Sequence, residues 1–208
     1  MDIKEYLSTY KVHPVIFVGT GLSLRYYEDS YTWEALLSKI VEESMGSREA
    51  FLDLKSQCMS NRDIDYPKLG TLVEKRFNEI AMRDRNGKFR DVNDEYYRYM
   101  EEGLNISRFK LYVAKLFSSL HLRTEKLGEI EKLKKARKNI SSVITTNYDK
   151  LIENELGFSP LIGNNILLSN PYGSVYKIHG SVDAPADIVI TKEDYETFDE
   201  RYGYQEGP

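Results

Sequence analysis

The sequence predicts an α/β fold in which strands alternate with helices and run parallel. Two β-branched runs, at residues 12–18 and 140–146, are signals of buried strands, and the first carries apolar side chains on both sides, as expected of a buried parallel strand. Helical patterns follow both runs, and shorter strand candidates lie at 166–168, 175–178 and 188–190. This alternation indicates crossover connections and therefore a parallel sheet.

Length and composition exclude several classes of protein. With 208 residues, of which 41% are hydrophobic, the chain can bury a core without a disulfide or metal staple. The net charge of −4 gives no general basic surface, so direct contact with nucleic acid is not expected. Cys58 is the single cysteine, which excludes an intramolecular disulfide and a cysteine zinc cluster. No membrane span or signal peptide is evident, which predicts a cytoplasmic protein.

Helical periodicity accounts for most of the remaining chain. Thr32 is a plausible N-cap for a helix, and residues 47–138 read as further helices. We expect a loop at 25–31, before that first helix. The last helix begins near Thr191, which with Asp194 resembles a capping box with Asp in place of Glu.

Three polar or glycine-rich stretches each follow a predicted strand, where open α/β sheets bind their ligands. Glycines at such a position let the backbone approach a pyrophosphate, and histidine has a pKa suited to proton transfer near neutrality. In chain order, the stretches are Gly19-Thr20-Gly21-Leu22-Ser23, Thr145-Thr146-Asn147-Tyr148-Asp149 and Lys177-Ile178-His179-Gly180-Ser181.

Each stretch taken alone also has a purely structural explanation. Gly19 and Gly21 do not have the G-x-G-x-x-G spacing and could simply turn the chain. Asn147 and Asp149 could cap a helix, and a histidine such as His179 is often a packed, hydrogen-bonded residue. The three histidines of the chain lack ligand spacing, so metal binding by them is not expected.

In order and spacing, the three stretches resemble the signature of the sirtuin superfamily. They are more similar to bacterial sirtuin-like NAD hydrolases of the antiphage defence type than to lysine deacetylases. The second stretch has Thr146-Asn147-Tyr148-Asp149 where deacetylases usually have Gln-Asn-Ile-Asp. Tyr31-Thr32-Trp33 and residues 188–195 also resemble this branch, and the deacetylase Pro-Asp-Phe-Arg stretch is absent.

The resemblance implies a Rossmann-like parallel sheet flanked by helices, with a helical insertion at about 51–138. Residues 1–208 would then form one sirtuin-like NAD-binding domain. The family's strand and glycine turn after the His-Gly pair are not found, so we expect the C-terminal part of the sheet to be missing. No zinc is expected, because the four-cysteine module of the deacetylases is absent.

The resemblance also implies a role for each site residue. Asn147 would be catalytic by positioning water or the ribose, and His179 would act as a base or as the partner of a ribose hydroxyl. The implied NAD-binding residues are Gly19, Thr20, Gly21, Ser23, Trp33, Thr146 and Asp149.

The implied function is cleavage of NAD to nicotinamide and ADP-ribose, in antiphage defence by NAD depletion. An NAD-dependent protein deacylase and a non-catalytic nucleotide-sensing module are the alternatives. An NAD hydrolase that is always active would deplete its own cell, so we expect a homo-oligomer, with an ATPase or a sensor domain as a candidate partner. Residues 26–33 are a candidate gate, although their aromatic side chains could equally pack the sheet edge. We expect the chain, alone and dilute, to cleave little NAD.

Overall fold

The computed structural model describes residues 14–61, 63–168 and 173–202. They divide into two compact units. The first, here called the sheet unit, takes its described residues from Met1–Ser30 and Leu116–Asp187. The second, the helical unit, takes them from Tyr31–Lys115 and Ile188–Pro208.

The described chain begins with a strand, continues mainly through helices, and returns to strands after residue 141. In order they are β1 (Val15–Val18), α1 (Thr20–Tyr26), α2 (Trp33–Met45), α3 (Arg48–Ser56), β2 (Met59–Ser60), β3 (Asp63–Ile64), α4 (Tyr66–Arg83), α5 (Arg90–Glu101), α6 (Arg108–Ser118), α7 (Leu127–Ala136), β4 (Ser142–Thr145), α8 (Leu151–Leu156), β5 (Ser159–Ile162), β6 (Ser174–Lys177) and α9 (Lys192–Tyr202). Short 3₁₀ helices lie at Thr124–Lys126, Arg137–Asn139, Gly163–Leu168 and Pro185–Asp187. Among these described residues, no helix is long and apolar enough to cross a membrane.

The sheet unit contains a parallel sheet whose described strands have the order β1-β4-β6-β5. α1 follows β1, α7 precedes β4, and α8 connects β4 to β5, so the protein is α/β and Rossmann-like, as the sequence predicts. The strands lie in level register: Val18 pairs with Thr145, and Thr145 pairs with Lys177. The carboxyl ends of three neighbouring strands therefore lie at one edge of the sheet.

The first strand is parallel, as predicted, but it is not buried on both sides. Within the described sheet β1 lies at the edge, and Val15 and Phe17 are 56% and 64% exposed. Their strand partners are central: Val143 of β4 and Val175 of β6 are buried. An apolar run predicts a strand, but it does not determine whether that strand is central or at the edge.

Two of the short strand predictions are wrong. Residues 166–168 belong to a 3₁₀ helix that begins at Gly163, where a positive φ of 54° turns the chain after β5. Residues 188–190 are buried without forming a strand, because the backbone N–H of Ile190 donates to the Asp194 carboxylate at 3.1 Å instead of to a neighbouring strand. The prediction at 175–178 is confirmed by β6. β5 and the small antiparallel pair β2–β3 were not predicted.

The core of the sheet unit includes aromatic residues that the sequence suggested as a gate. α1 continues to Tyr26, past the start of the loop expected at 25–31. Tyr26 and Tyr27 are buried in a cluster with Ile130 and Leu151. Backbone bonds also fix this segment, since Arg123 N–H donates to the carbonyl of Tyr26. These two tyrosines are therefore core residues, in line with the packing alternative.

The helical unit follows the predicted helix signals closely. Thr32 caps α2 by accepting a hydrogen bond from the backbone of Ala35 at 3.2 Å. At α9, Thr191 and Asp194 each accept from the backbone N–H of the other, at 3.2 and 3.0 Å. This is the predicted capping box. The unit also contains an aromatic core in which Phe77 of α4 is the central ring, surrounded by Phe89, Phe109 and Tyr112.

Candidate functional site

The three stretches that follow strands lie at the same edge of the sheet. β1, β4 and β6 end at Val18, Thr145 and Lys177, which are partners in register. Two further backbone bonds join the loops beyond these ends. Ile178 N–H donates to the carbonyl of Thr145, and Val182 N–H donates to that of Tyr148, both at 3.1 Å. The loops after β4 and β6 therefore form one connected structure.

The first and second stretches meet in a buried network of three side chains. The Ser23 hydroxyl donates to Asp149 Oδ2 at 2.5 Å and accepts from Asn147 Nδ2 at 2.8 Å. Asn147 Nδ2 also donates to the carbonyl of Gly19 at 3.0 Å. Asp149 Oδ1 accepts from the N–H of Leu151, which fixes the carboxylate at the start of α8. Hydrogen bonds that involve a carboxylate are the stronger kind, so this network holds the loops after β1 and β4 together.

One polar group of the Asn147 side chain makes no hydrogen bond to the described residues. An amide carries two N–H donors and one acceptor oxygen, and both donors are directed at Gly19 and Ser23. The backbone N–H of Asn147 is held by Thr145 Oγ1 at 3.1 Å. The side-chain oxygen Oδ1 is therefore the group with which Asn147 would accept a hydrogen bond from water or a hydroxyl.

The glycine turn has space beside it. At Gly19 and Gly21, an added Cβ would meet no heavy atom within 4 Å. Gly19 has extended backbone and is the N-cap residue of α1, where it supplies no side-chain cap. The residues present thus fit the approach of a phosphate-bearing ligand to the backbone at this turn. Thr20 begins α1, beside this space.

His179 follows β6, two residues beyond the end of the strand. Gly180, the next residue, has a φ of 84°, in the left-handed region that favours glycine. Burial lowers the pKa of the His179 imidazole from 6.5, because a charged ring is less well solvated there than in water. The ring is therefore neutral at pH 7, as a proton acceptor must be.

Burial also controls the ionisation of Tyr27, which lies near the network. Removal from water raises the pKa of its phenol, and the negative charge of Asp149 raises it further. Tyr27 therefore remains a neutral hydroxyl throughout the physiological pH range.

The remaining predicted NAD-binding residues lie in different places. Thr146 is a half-buried residue between β4 and Asn147. Trp33 belongs to the helical unit, where its ring packs 6.0 Å from Tyr66 and 6.2 Å from Tyr195, measured between centroids. These rings line an open pocket of about 480 Å³, which Glu34 also lines. The proposed role of Trp33 in NAD binding stays a prediction.

Lys177 is part of the site, although the sequence reasoning gave it no role. Its side chain is fully buried, and its ammonium lies 2.8 Å from Glu153 Oε1. The same nitrogen also donates to the carbonyls of Tyr148 and Asp149. The position of Lys177 in the run 175–178 is the sequence signal that could have identified it. A lysine in a buried strand is rare unless it is paired, so a partner could have been expected.

Within residues 14–61, 63–168 and 173–202, no three histidine, cysteine or acidic side chains come together as a metal site.

Comparison with known protein families adds to this geometry. The model of the SIR2-like domain matches residues 141–207. This segment is sirtuin-like. It includes the second and third strand-end stretches, with Asn147, Asp149 and His179, whereas the glycine turn lies outside it. None of the curated proteins compared with the chain matches it. The SIR2-like family uses NAD, so the match points to an NAD-related function and to an NAD-dependent class of enzyme.

Proposed function

We propose that this protein hydrolyses NAD to nicotinamide and ADP-ribose at the carboxyl ends of β1, β4 and β6. The observation that carries the proposal is the buried network of Ser23, Asn147 and Asp149, in which two residues belong to the SIR2-like segment. It joins the glycine turn to that segment. A polar amide, a neutral imidazole and an open glycine turn are groups that this cleavage can use.

The reaction breaks the bond between the ribose C1′ and the nicotinamide nitrogen. Nicotinamide leaves with the bonding electron pair, and the oxygen of a water molecule bonds to C1′. One proton of that water is released. The transition state resembles an oxocarbenium ion, so catalysis depends on holding the ribose in place and on polar groups arranged before the reaction begins.

Asn147 provides the acceptor for positioning. Since its two N–H donors are directed at Gly19 and Ser23, its Oδ1 would accept a hydrogen bond from the attacking water or from a ribose hydroxyl. Asp149 stabilises this orientation through Ser23, because the serine hydroxyl bridges the carboxylate and the amide. Ser23 and Asp149 thus act as positioning residues.

His179 provides the proton acceptor. Its pKa is lowered by burial, so the ring is uncharged at neutral pH and can take a proton from water or bond to a ribose hydroxyl. Gly19 and Gly21 would let the backbone approach the pyrophosphate, since there is space for a ligand beside them.

We also propose the biological setting. The Thr146-Asn147-Tyr148-Asp149 form of the second stretch resembles antiphage defence effectors, which act by depleting NAD. Such an activity needs control, so we propose that a homo-oligomer, with an ATPase or sensor as a further partner, is the active form. Nicotinamide release measured against protein concentration tests this, because an assembly-dependent enzyme gains activity per molecule as it associates.

The direct experiment measures nicotinamide release and NAD binding by the full-length protein and by two variants. Asn147→Ala and His179→Ala should each lower release by about 100-fold or more, as expected for groups that act on the reacting atoms. Asn154→Ala and His121→Ala are matched controls, because both side chains are exposed in the sheet unit, and they should retain activity.

The outcomes separate the candidates. Nicotinamide release with no need for an acylated peptide supports hydrolysis, whereas release only with acetylated peptide, together with O-acetyl-ADP-ribose, indicates a deacylase. NAD binding without release in any assembly state indicates a nucleotide-sensing module. Equal turnover by wild type and both site variants would contradict the proposed site.

A further inference from the structure

The Lys177 side chain is the buried cation of the strand-end site. It has no exposed surface, and its partner Glu153 on α8 is 8% exposed. The second oxygen of Glu153, Oε2, is buried with no hydrogen-bond partner among the described residues. The carboxylate therefore depends on Lys177 for compensation of its charge.

The ammonium has three N–H donors, and its three acceptors come from one short segment of chain. They are Glu153 Oε1 at 2.8 Å, the carbonyl of Tyr148 at 3.4 Å and the carbonyl of Asp149. Two of these acceptors are backbone groups of the loop that carries Asn147 and Asp149. Lys177 itself lies at the end of β6, two residues before His179.

We propose that Lys177 is a positioning residue. Its hydrogen bonds to the carbonyls of Tyr148 and Asp149 fix the backbone of the Asn147–Asp149 loop and so set the direction of the Asn147 amide. This deepens the proposed function and rests on it. The lysine connects the loop after β4 to the strand that leads into His179. Lys177 Nζ thereby fixes the position of the Asn147 amide relative to the strand that leads to the His179 imidazole.

A purely stabilising role does not account for this arrangement. A buried ion pair is often no more stable than apolar side chains of similar volume, and β6 already contains one apolar residue, Val175, that is fully buried. An apolar side chain at position 177 could fill the same space. It could not donate to the carbonyls of Tyr148 and Asp149, which is the contribution specific to the ammonium.

The test separates positioning from stability with a double variant. Lys177→Met alone leaves the Glu153 carboxylate buried without its cation, so it should lower Tm strongly. Lys177→Met/Glu153→Gln removes both charges, and its Tm should recover most of that loss. We nevertheless expect its kcat for nicotinamide release to remain about 100-fold below wild type, because a small misplacement of reacting groups has that effect. KM should change much less than kcat.

Lys150→Met is the matched control. Lys150 lies beside the same loop, but its ammonium pairs with Asp183 at a half-exposed position. Removing this charge should leave both kcat and Tm close to wild type. Lys177→Arg, which keeps the charge and several donors, should recover part of the lost kcat.

A second measurement does not depend on the activity. Amide hydrogen exchange in a peptide covering residues 145–151 should be faster in the double variant than in wild type, whereas exchange at residues 127–136 should be unchanged. If the double variant does not fold, Lys177→Leu/Glu153→Gln takes its place with the same expectations, because leucine also has no donor for the carbonyls of Tyr148 and Asp149.

The results distinguish this inference from the proposed function. A stable double variant with wild-type kcat, or with unchanged exchange at 145–151, overturns the positioning role. If the wild-type protein cleaves no NAD, the proposed function fails. Faster exchange at 145–151 in the double variant would then still support Lys177 as the residue that fixes this loop.

Discussion

The two units of the molecule bury different kinds of polar group. In the helical unit, Asn93 donates to the carbonyls of Ala81 and Phe89 and accepts from Arg108, so that polar groups connect helix ends around an aromatic core. In the sheet unit, buried polar side chains lie along the strands and beyond their carboxyl ends. They are Ser23, Ser141, Ser142, Thr145, Asn147, Asp149, Ser174, Lys177 and Ser181.

The two kinds of buried polar group therefore indicate different roles, one in stability and one in the proposed reaction. Polar groups at helix ends satisfy backbone carbonyls that the helices leave unpaired, and stability is a sufficient explanation for them. The network of Ser23, Asn147 and Asp149 instead combines a carboxylate, a hydroxyl and an amide beside an open glycine turn. Substitutions in the helical unit should therefore change stability, and substitutions in the network should change turnover.

The largest expected effect is on the aromatic core of the helical unit. Phe77 is 1% exposed and stacks on Tyr112 with ring centroids 4.9 Å apart. Phe77→Ala should lower the free energy of unfolding by about 3–5 kcal/mol, through lost burial and the cavity left behind. Chemical denaturation measures this. Met82→Ala on the same helix is the control, because Met82 is exposed and should have little effect.

The next effect concerns the network of the sheet unit. Asp149→Asn keeps the shape of the side chain but removes the charge that accepts the Ser23 hydroxyl, which loosens the orientation of Asn147. Nicotinamide release should fall about 100-fold, equivalent to about 2.7 kcal/mol in the barrier. Asp199→Asn, at an exposed position of α9, should leave it unchanged. A similar loss in both variants would mean that the network has no special role.

Two glycines provide a smaller contrast in stability. A Cβ at Gly70 would overlap the carbonyl oxygen of Ile190, a backbone atom that cannot easily move. Gly70→Ala should therefore cost about 1–3 kcal/mol. At Gly128 of α7 nothing lies within 4 Å, so Gly128→Ala should stabilise the protein by up to about 1 kcal/mol. Thermal unfolding of the pair should show shifts of opposite sign.

The smallest effect is the pH dependence due to His179. Burial lowers its pKa in the folded protein, whereas the unfolded chain binds the proton near pH 6.5. Between these values the unfolded state holds more protons, so stability rises with pH through this window and is lost as the pH falls. Denaturation of His179→Gln at pH 5 and pH 7 should show a smaller difference than wild type. A difference equal to that of wild type would contradict the effect of burial on His179.

The location of the candidate site could be predicted from the sequence because its residues follow local rules. Three stretches each follow an apolar run: a glycine turn, an Asn-Tyr-Asp stretch and a His-Gly pair. This pattern predicts polar groups at one edge of a parallel sheet. The register of β1, β4 and β6 confirms that the three stretches begin at the same edge. The caps at Thr32 and Thr191 could be predicted for the same reason.

The remaining features depend on contacts between residues distant in sequence. The hydrogen bonds of Ser23 span more than 120 residues, so a sequence pattern cannot show that its hydroxyl is directed inward. The ion pair of Lys177 depends on Glu153 facing β6. Ile190 resembles a strand residue because it is apolar, but the Asp194 side chain takes its N–H.

The central claim is that the Asn147 network supports hydrolysis of NAD. It is tested most directly by quantifying both products, nicotinamide and ADP-ribose, from NAD incubated with the assembled full-length protein and with its Asn147→Ala variant. We predict equal amounts of the two products from wild type and almost none from the variant. Intact NAD with wild type at every protein concentration, or undiminished products with the variant, would contradict the account.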